Sequence, residues 1–301
     1  AETVIIVPGY GLAVARAQHS VKELAAKLTD AQPPNLPPVC VSVKDWGVAV
    51  EPVRIDRRRR VVEDEDARVD GAAAWRTAHS VNRNGDLYPT HGIGPVAHYI
   101  NINRGNRFVS LSSFASKARG LHNHVVKNGG ENHPNAKVKF KLGDVVSTNI
   151  LCANGETILL QHDTNLPRPY SLGFRVQGTE GLWMDVNKGI YLEGKSAKAH
   201  QWDNSKEWLD KYDHPLWARW SKETEGAGHG GMDFFVIHSF VESIKRKTAT
   251  PMDVYDAAAW SAITPLSELS IEKGNETIEF PDFTGGKWMY RKPVFSLNDD
   301  Y

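Results

Sequence analysis

Cysteine is almost missing from this chain. Cys40 and Cys152 are the two among 301 residues, far apart and with no CxxC pair, which excludes a zinc site evident from spacing and a disulfide framework. No metal site is expected. A net charge of one sign is missing as well: 36 Lys and Arg balance 36 Asp and Glu, so no overall field points to nucleic acid or to an anionic membrane surface. No apolar run approaches the roughly 18 residues that a membrane span needs. GxSxG and P-loop motifs are absent. The chain opens Ala1, Glu2, Thr3 without methionine, which reads as a processed or trimmed start with no signal peptide left. What is present is ordinary in bulk: 41% hydrophobic and 24% charged residues are globular proportions, and the length suits one large domain or two medium ones. Nine tryptophans suit a core or rings that stack on sugars.

At the start, Val4, Ile5, Ile6 and Val7 make a β-branched run that ends at Pro8, Gly9, Tyr10 and Gly11, before a helix-forming stretch. A buried strand, a glycine turn and a helix offer backbone N–H groups to a phosphate. The match to GxGxx(G/A) is loose, with Val14 in third place, and a purely structural βα turn is the alternative. Residues 39–43 could form a second strand, with Lys44 and Asp45 where a ribose partner would stand. Pro33, Pro34, Pro37 and Pro38, the basic block 57–60 and the acidic block 63–66 then mark a solvated linker. From Trp75 the sequence becomes coherent. Strands are expected at 108–114, 136–141, 145–151, 156–161 and 170–177, with a hairpin turn at Ala153, Asn154 and Gly155. Helices are expected at 205–212, 232–246 and 254–269, and residues 96–102 have the spacing of a helix face. The tail from 281 shows little periodicity.

The densest chemistry lies between Trp75 and Pro95, where Arg76, His79, Tyr88, Thr90 and His91 fall within a short reach. Gly85 and Asp86 mark a turn and Pro89 breaks regular structure, so these groups are expected on an irregular loop leading to a helix N-terminus, the kind of place where binding groups concentrate. His91 suits a general acid or base because imidazole titrates near neutrality; Tyr88 is next. Arg76 can grip a substrate oxygen with two prongs. Arg168 and Tyr170, after Gln161, His162, Asp163 and Thr164, form a third group, with Tyr170 able to face the same pocket. His229 with Asp233 is a fourth; it reads as helix capping rather than a metal pair. His122, His124, His133, His200 and His214 are assigned to surface or core.

Several of these words resemble a known family. Trp75, Arg76 and Thr77; 82–92; 102–107; 111–120; 177–183; 226–233; and 278–301 are similar to glycoside hydrolase family 109, the NAD-dependent α-N-acetylgalactosaminidases related to glucose–fructose oxidoreductase. The likeness covers 74–301. Separately, GYGLAVARAQH at 9–19 resembles the NADP(H)-binding domain of proton-translocating nicotinamide nucleotide transhydrogenase, over about the first 30 residues. The first resemblance implies an open sheet with helices carrying a sugar pocket, with Arg76, Tyr88, Pro89, Thr90, His91 and Tyr170 contacting the sugar and His91 and Tyr88 handling protons. It also implies an oxidation, elimination, addition and reduction sequence on tightly held NAD⁺, outside the two-carboxylate scheme of most glycosidases. The second implies pyrophosphate binding by Gly9, Tyr10 and Gly11, NADP being an allowed alternative to NAD.

The expectation is therefore an α/β (α+β) protein: a partial Rossmann-like βαβ unit over 1–50, a linker over 51–73, and a mostly antiparallel open sheet with helices on one face over 74–301. Family members carry a Rossmann domain of roughly 200 residues ahead of that sheet, so the chain reads as truncated or chimeric. The expected function is an NAD-dependent glycosidase removing terminal α-N-acetylgalactosamine. The alternatives are an NADP-dependent sugar oxidoreductase and a non-catalytic sugar- and nucleotide-binding chimera. The partner is a small sugar or terminal glycan, with no nucleic acid and no membrane span, and with homo-oligomers allowed. The resemblance favours a bacterial periplasmic or secreted setting, the cytoplasm staying open.

Overall fold

Residues 153–155 supply a tight turn, and the strands that flank it alternate as a one-sided sheet requires. In the computed structural model, which describes residues 80–169, 171–295, 297 and 300–301, β2 (Val145–Cys152) and β3 (Thr157–Asp163) pair antiparallel with Leu151 opposite Thr157 and Val145 opposite Asp163. Val146, Ile150, Cys152, Ile158 and Leu160 point inward, while Leu151 and Leu159 face outward. That period of two gives the sheet one covered face. β1 (Phe108–Ala115) pairs with the other edge of β2, and the two-residue β8 (Ile278–Glu279) closes the order β3-β2-β1-β8.

Two helices cover the buried face. α1 (Thr90–Tyr99) contributes Ile93 and Ala97, and α6 (Val254–Glu272) contributes Ala259, Trp260 and Ile263, to a core shared with Phe108, Leu111, Ile150, Ile158, Leu160 and Phe280. α6 starts at a capping box: the Asp253 carboxylate accepts the Tyr255 and Asp256 N–H groups, and Asp256 accepts the Asp253 N–H, which satisfies donors no helical carbonyl reaches. Its buried face is rich in hydroxyls (Thr264, Ser267, Ser270). Ser270 Oγ accepts the Ser113 N–H at 2.9 Å and donates to the Glu276 carbonyl at 2.6 Å. The helix thus stands in for a sheet rung where β8 has ended.

Between these elements lie α2 (Gly120–Gly129), a 3-10 turn at Pro134–Lys137, and a second sheet. This is a meander of β4 (Arg175–Gln177), β5 (Gly181–Met184), β6 (Gly189–Leu192) and β7 (Asp203–Asn204), all antiparallel. α3 (Ser205–Tyr212) and α4 (Pro215–Trp220) follow. The described residues divide into two compact units, 80–216 with 249–301, and 217–248. The smaller holds α5 (Met232–Arg246), against which Trp217 meets Phe235 edge-on at 4.8 Å and Trp220 meets His238 at 4.6 Å.

The mixed α/β class and the antiparallel open sheet with helices on one face are as expected, but among the described residues the strands form two four-stranded sheets rather than one. The proposed βαβ unit and linker lie outside the described residues. Three expectations differ. The strand at 136–141 is absent: the segment opens as a 3-10 turn and its far end docks on residue 80, the Lys141 and Leu142 N–H groups sharing the Ser80 carbonyl, so its alternation reflects a docked loop without a strand partner. The strand at 170–177 shrinks to Arg175–Gln177. The helix expected after Pro95 begins at Thr90 instead, because the Pro89 carbonyl accepts the Gly92 and Ile93 N–H groups and starts the turn early. Pro95 sits inside it and forgoes one backbone bond to His91.

Candidate functional site

Tyr88, Pro89, Thr90 and His91 form one continuous corner. Pro89 is the cap residue of α1, Thr90 and His91 lie in its first turn, and Tyr88 stands just before it. Helical rise across that corner brings residue 91 back over residue 88. The Tyr88 phenol lies 3.2 Å from His91 Nε2, and the two rings are 4.5 Å apart between centroids, tilted by 32°. Tyr88 and Thr90 are half-buried, Pro89 is buried and His91 is exposed. A phenol and an imidazole in hydrogen-bond reach can pass one proton between them, the minimum unit for acid–base work on a hydroxyl. The polar groups are thus anchored to a helix, where an irregular loop was expected.

The corner is held from below. Gly85 packs so closely against α6 that an added Cβ would fall 2.5 Å from Glu268 Cγ and 2.8 Å from Ser267 Oγ. Asp86 follows, only 1% exposed. Its N–H donates to Ser267 Oγ at 2.9 Å, its carbonyl accepts from Thr264 Oγ1 at 2.7 Å, and its carboxylate accepts the Tyr88 N–H at 3.1 Å. Burial pushes the Asp86 carboxyl up to about 6, against a smaller downward pull from the Tyr88 N–H. Beside it, Arg83 makes a two-pronged ion pair with Glu268, at 2.6 and 2.7 Å. Gly92 lets α1 lie on the sheet, since a Cβ there would meet Leu160 at 2.7 Å. In the sequence Asp86 marks only a turn. Its burial depends on hydroxyls about 180 residues away, so no local signal identifies it.

The remaining predicted residues fare differently. Arg76, Tyr170, Gly9, Tyr10 and Gly11 lie outside the described residues, as does His79. Arg168 is spent on its own loop: it pairs with Asp163 at 3.2 Å and donates to the carbonyls of Asp163, Pro169 and Ser171. It is a brace for the loop rather than a substrate grip. The cap residue of α5 is Gly231, which has no side chain to cap with, and His229 Nδ1 meets Asp233 Oδ1, in the first turn of α5, at 2.8 Å. His229 itself sits in a left-handed backbone, φ 54°. His133 caps the 3-10 turn through Nδ1.

A separate cavity of about 460 Å³ opens at the far end of α1, lined by His98, Tyr99, Arg104, His214, Pro251 and Phe295 among others. Neither Tyr88 nor His91 borders it. Burial lowers the His98 imidazole, Asp256 opposing and Arg104 adding to the shift. Arg104 is itself committed to structure: it grips Asp256 at 2.7 and 2.8 Å, and Asn103 adds a third bond to the same carboxylate.

Residues 59–290 match the family described as glycosyl hydrolase 109, C-terminal domain, and residues 1–33 match the NAD(P) transhydrogenase beta subunit family. A glycosyl hydrolase family 109 protein of Stenotrophomonas maltophilia (strain K279a) is 62% identical over 230 residues, covering 76% of this chain and 50% of the relative. An α-N-acetylgalactosaminidase of Tannerella forsythia is 60% identical over 225 residues, covering 75% and 48%. One from Shewanella oneidensis (strain ATCC 700550 / JCM 31522 / CIP 106686 / LMG 19005 / NCIMB 14063 / MR-1) is 43% identical, covering 73% and 49%. The chain spans about half the length of these curated relatives. Among solved structures, levoglucosan dehydrogenase in complex with NADH and levoglucosan aligns over 70% of this chain and 54% of its own, with 16% identity and a TM-score of 0.48.

Proposed function

Since the matched span 59–290 takes in most of its 301 residues, the chain belongs to the glycosyl hydrolase 109 family through the C-terminal domain, and we propose that it binds a terminal α-N-acetylgalactosamine and supplies the proton-handling half of its hydrolysis. The observation that carries the reading is the Tyr88–His91 contact at 3.2 Å, on the corner that opens α1. Relatives at 60% and 43% identity are named α-N-acetylgalactosaminidases, which supports the choice of sugar.

The proposed division of labour follows from the chemistry of the groups. His91, exposed, takes or returns a proton at a sugar hydroxyl or ring carbon, and Tyr88, half-buried, shares that proton through its phenol. The buried Pro89 fixes their spacing. Thr90, in the first turn of α1, is proposed to hold a hydroxyl, with Arg76 and Tyr170 as further sugar contacts on the strength of the family resemblance.

Nicotinamide, when bound, supplies a reversible hydride acceptor. The described residues contain no glycine-rich βα turn to cradle its phosphates, and Gly9, Tyr10 and Gly11 lie outside them. NAD dependence is proposed from the family resemblance.

The test is release of nitrophenol from a nitrophenyl α-N-acetylgalactosaminide by the full chain, with and without added NAD⁺ or NADP⁺. Turnover with added NAD⁺ and no net NADH supports the reading. Stoichiometric NADPH would replace it with the oxidoreductase alternative. Protection against heat by N-acetylgalactosamine without turnover would reduce it to a binding domain, and no effect of sugar in any arm would reject it.

A further inference from the structure

The buried carboxyl under the proton pair is the feature that the proposed chemistry leaves unused. We propose that Asp86 is the positioning residue of the Tyr88–His91 pair, its carboxylate gripping the Tyr88 N–H and so setting, through its own protonation, how firmly the phenol is held against the imidazole. This rests on the reading of that pair as the proton-handling site.

Three bonds make Asp86 a bracket rather than a bystander. Its N–H and carbonyl are fixed by Ser267 and Thr264 of α6, so the residue cannot drift with the loop. Its carboxylate then reaches forward two residues to the Tyr88 N–H at 3.1 Å. From Tyr88 the chain turns at once into α1, and the phenol meets His91. One path from the core helix to the proton pair therefore runs through a carboxylate oxygen and a backbone hydrogen. A serine or asparagine could have accepted that hydrogen without placing a charge in the core, so an ionisable group here calls for a reason.

Protonation weakens the grip. A carboxylate is a stronger acceptor than the neutral acid, so gaining a proton loosens Tyr88 while the α6 anchors stay. Burial brings the carboxyl to about 6, within the range where a small change of pH matters. Charged groups face Asp86 from several elements. Arg83 and Glu268, from the turn and from α6, neutralise one another at 2.6 Å. Tyr88 and His91 lie on its own corner. The segment docked on Asn84 through the Gly143 N–H carries Lys141, which is exposed, and Asp144, which is bound by the Arg119 and Gly120 N–H groups.

The experiment follows the Tyr88 backbone amide proton by NMR in the full chain between pH 4.5 and 8. The expected result is a single downfield titration with a midpoint near 6 in the wild type. It should persist in His91→Gln, where no imidazole titrates at that position, and vanish in Asp86→Asn, which keeps an acceptor. A flat wild-type amide, or a titration that survives Asp86→Asn, overturns the proposal. So does one that disappears with His91. Should Asp86→Asn fail to fold, the wild-type and His91→Gln titrations still decide. In a turnover assay, the acidic limb of kcat should move down in Asp86→Asn with KM changed less than twofold; a fall in kcat and a rise in KM by the same factor at every pH would mark a merely structural residue and overturn the role. Titration of the amide in a protein that never turns over sugar rejects the glycosidase reading and leaves the bracket standing.

Discussion

Asp86 and Asp256 are both buried carboxyls on or against α6, yet their ionisation acts on stability with opposite signs. Asp86 is raised by burial to about 6 from an ordinary 3.8. The folded state therefore holds its proton more tightly than the unfolded chain does. Its contribution to stability is complete below about 3.8 and is lost as pH rises through 6, a loss of about 3 kcal/mol for two pKa units. Asp86→Asn should then be more stable than wild type at pH 8, by up to that amount, and the gap should close toward pH 3. Urea denaturation at both pH values measures it, and an equal difference at both would show that charge is not the cause. For Asp256, burial alone would raise the carboxyl, but the Arg104 hydrogen bonds and charge, with Asn103, bring it below the usual range. Its contribution is present above about 3.8 and is lost as the medium becomes more acid. Arg104→Ala strands that charge, and a loss of about 3–5 kcal/mol is expected. The double change Arg104→Met with Asp256→Asn, which keeps an acceptor for the Asp253 N–H, should recover most of it, as read from the denaturation midpoint; a double variant no better than Arg104→Ala would show that the stranded charge is not the cause.

At the scale of elements, α6 shows why part of this fold could be read from sequence and part could not. Its existence was legible, with a helix expected over 254–269 and found over Val254–Glu272. Its purpose was not, because the buried face sets the hydroxyls Thr264, Ser267 and Ser270 beside the apolar Ala259, Trp260 and Ile263, and hydroxyls give no periodicity from which a holding role can be read. Ser270 supplies the rung that the two-residue β8 leaves out opposite Ser113. Ser270→Ala should leave the buried Ser113 N–H without an acceptor, costing about 1–3 kcal/mol, and should speed hydrogen exchange at Ser113 more than elsewhere in β1. Uniform acceleration along β1 would contradict that local account. The β2–β3 hairpin was readable for the converse reason: turn residues and alternation are local signals, and both survive in the structure. α2 escaped notice because it buries none of its residues, so no periodicity marks it. At the candidate site, Tyr88, Pro89, Thr90 and His91 were legible as a dense polar word. The carboxyl beneath them, and the early start of α1, depend on long-range partners.

For the molecule as a whole, the two four-stranded sheets should differ in how firmly they are held. The sheet β3-β2-β1-β8 shares one apolar core with α1 and α6, and Leu111, Val146 and Ile150 are each 1% exposed or less. The meander β4-β5-β6-β7 has only Gly189 buried among its strand residues, and all of β4 is exposed. Its side-chain bonds include an exposed one, Tyr191 to Glu193 at 2.9 Å, and a part-buried one, Ser196 to Asp203 at 2.7 Å. Opening the first sheet exposes the core to water, so its amides exchange only when the whole unit unfolds. Opening the meander exposes little apolar surface, so it can open by itself. Hydrogen exchange followed by mass spectrometry should show peptides spanning 175–192 exchanging at least ~10-fold faster than those spanning 145–163. The Tyr88–His91 corner should follow the slow class, since Asp86 is bonded to α6 and Gly85 packs against it. If residues 84–93 instead exchange with the meander, then the bonds from Thr264 and Ser267 do not hold the corner in solution. The proton pair would then lack the fixed geometry that its proposed chemistry requires.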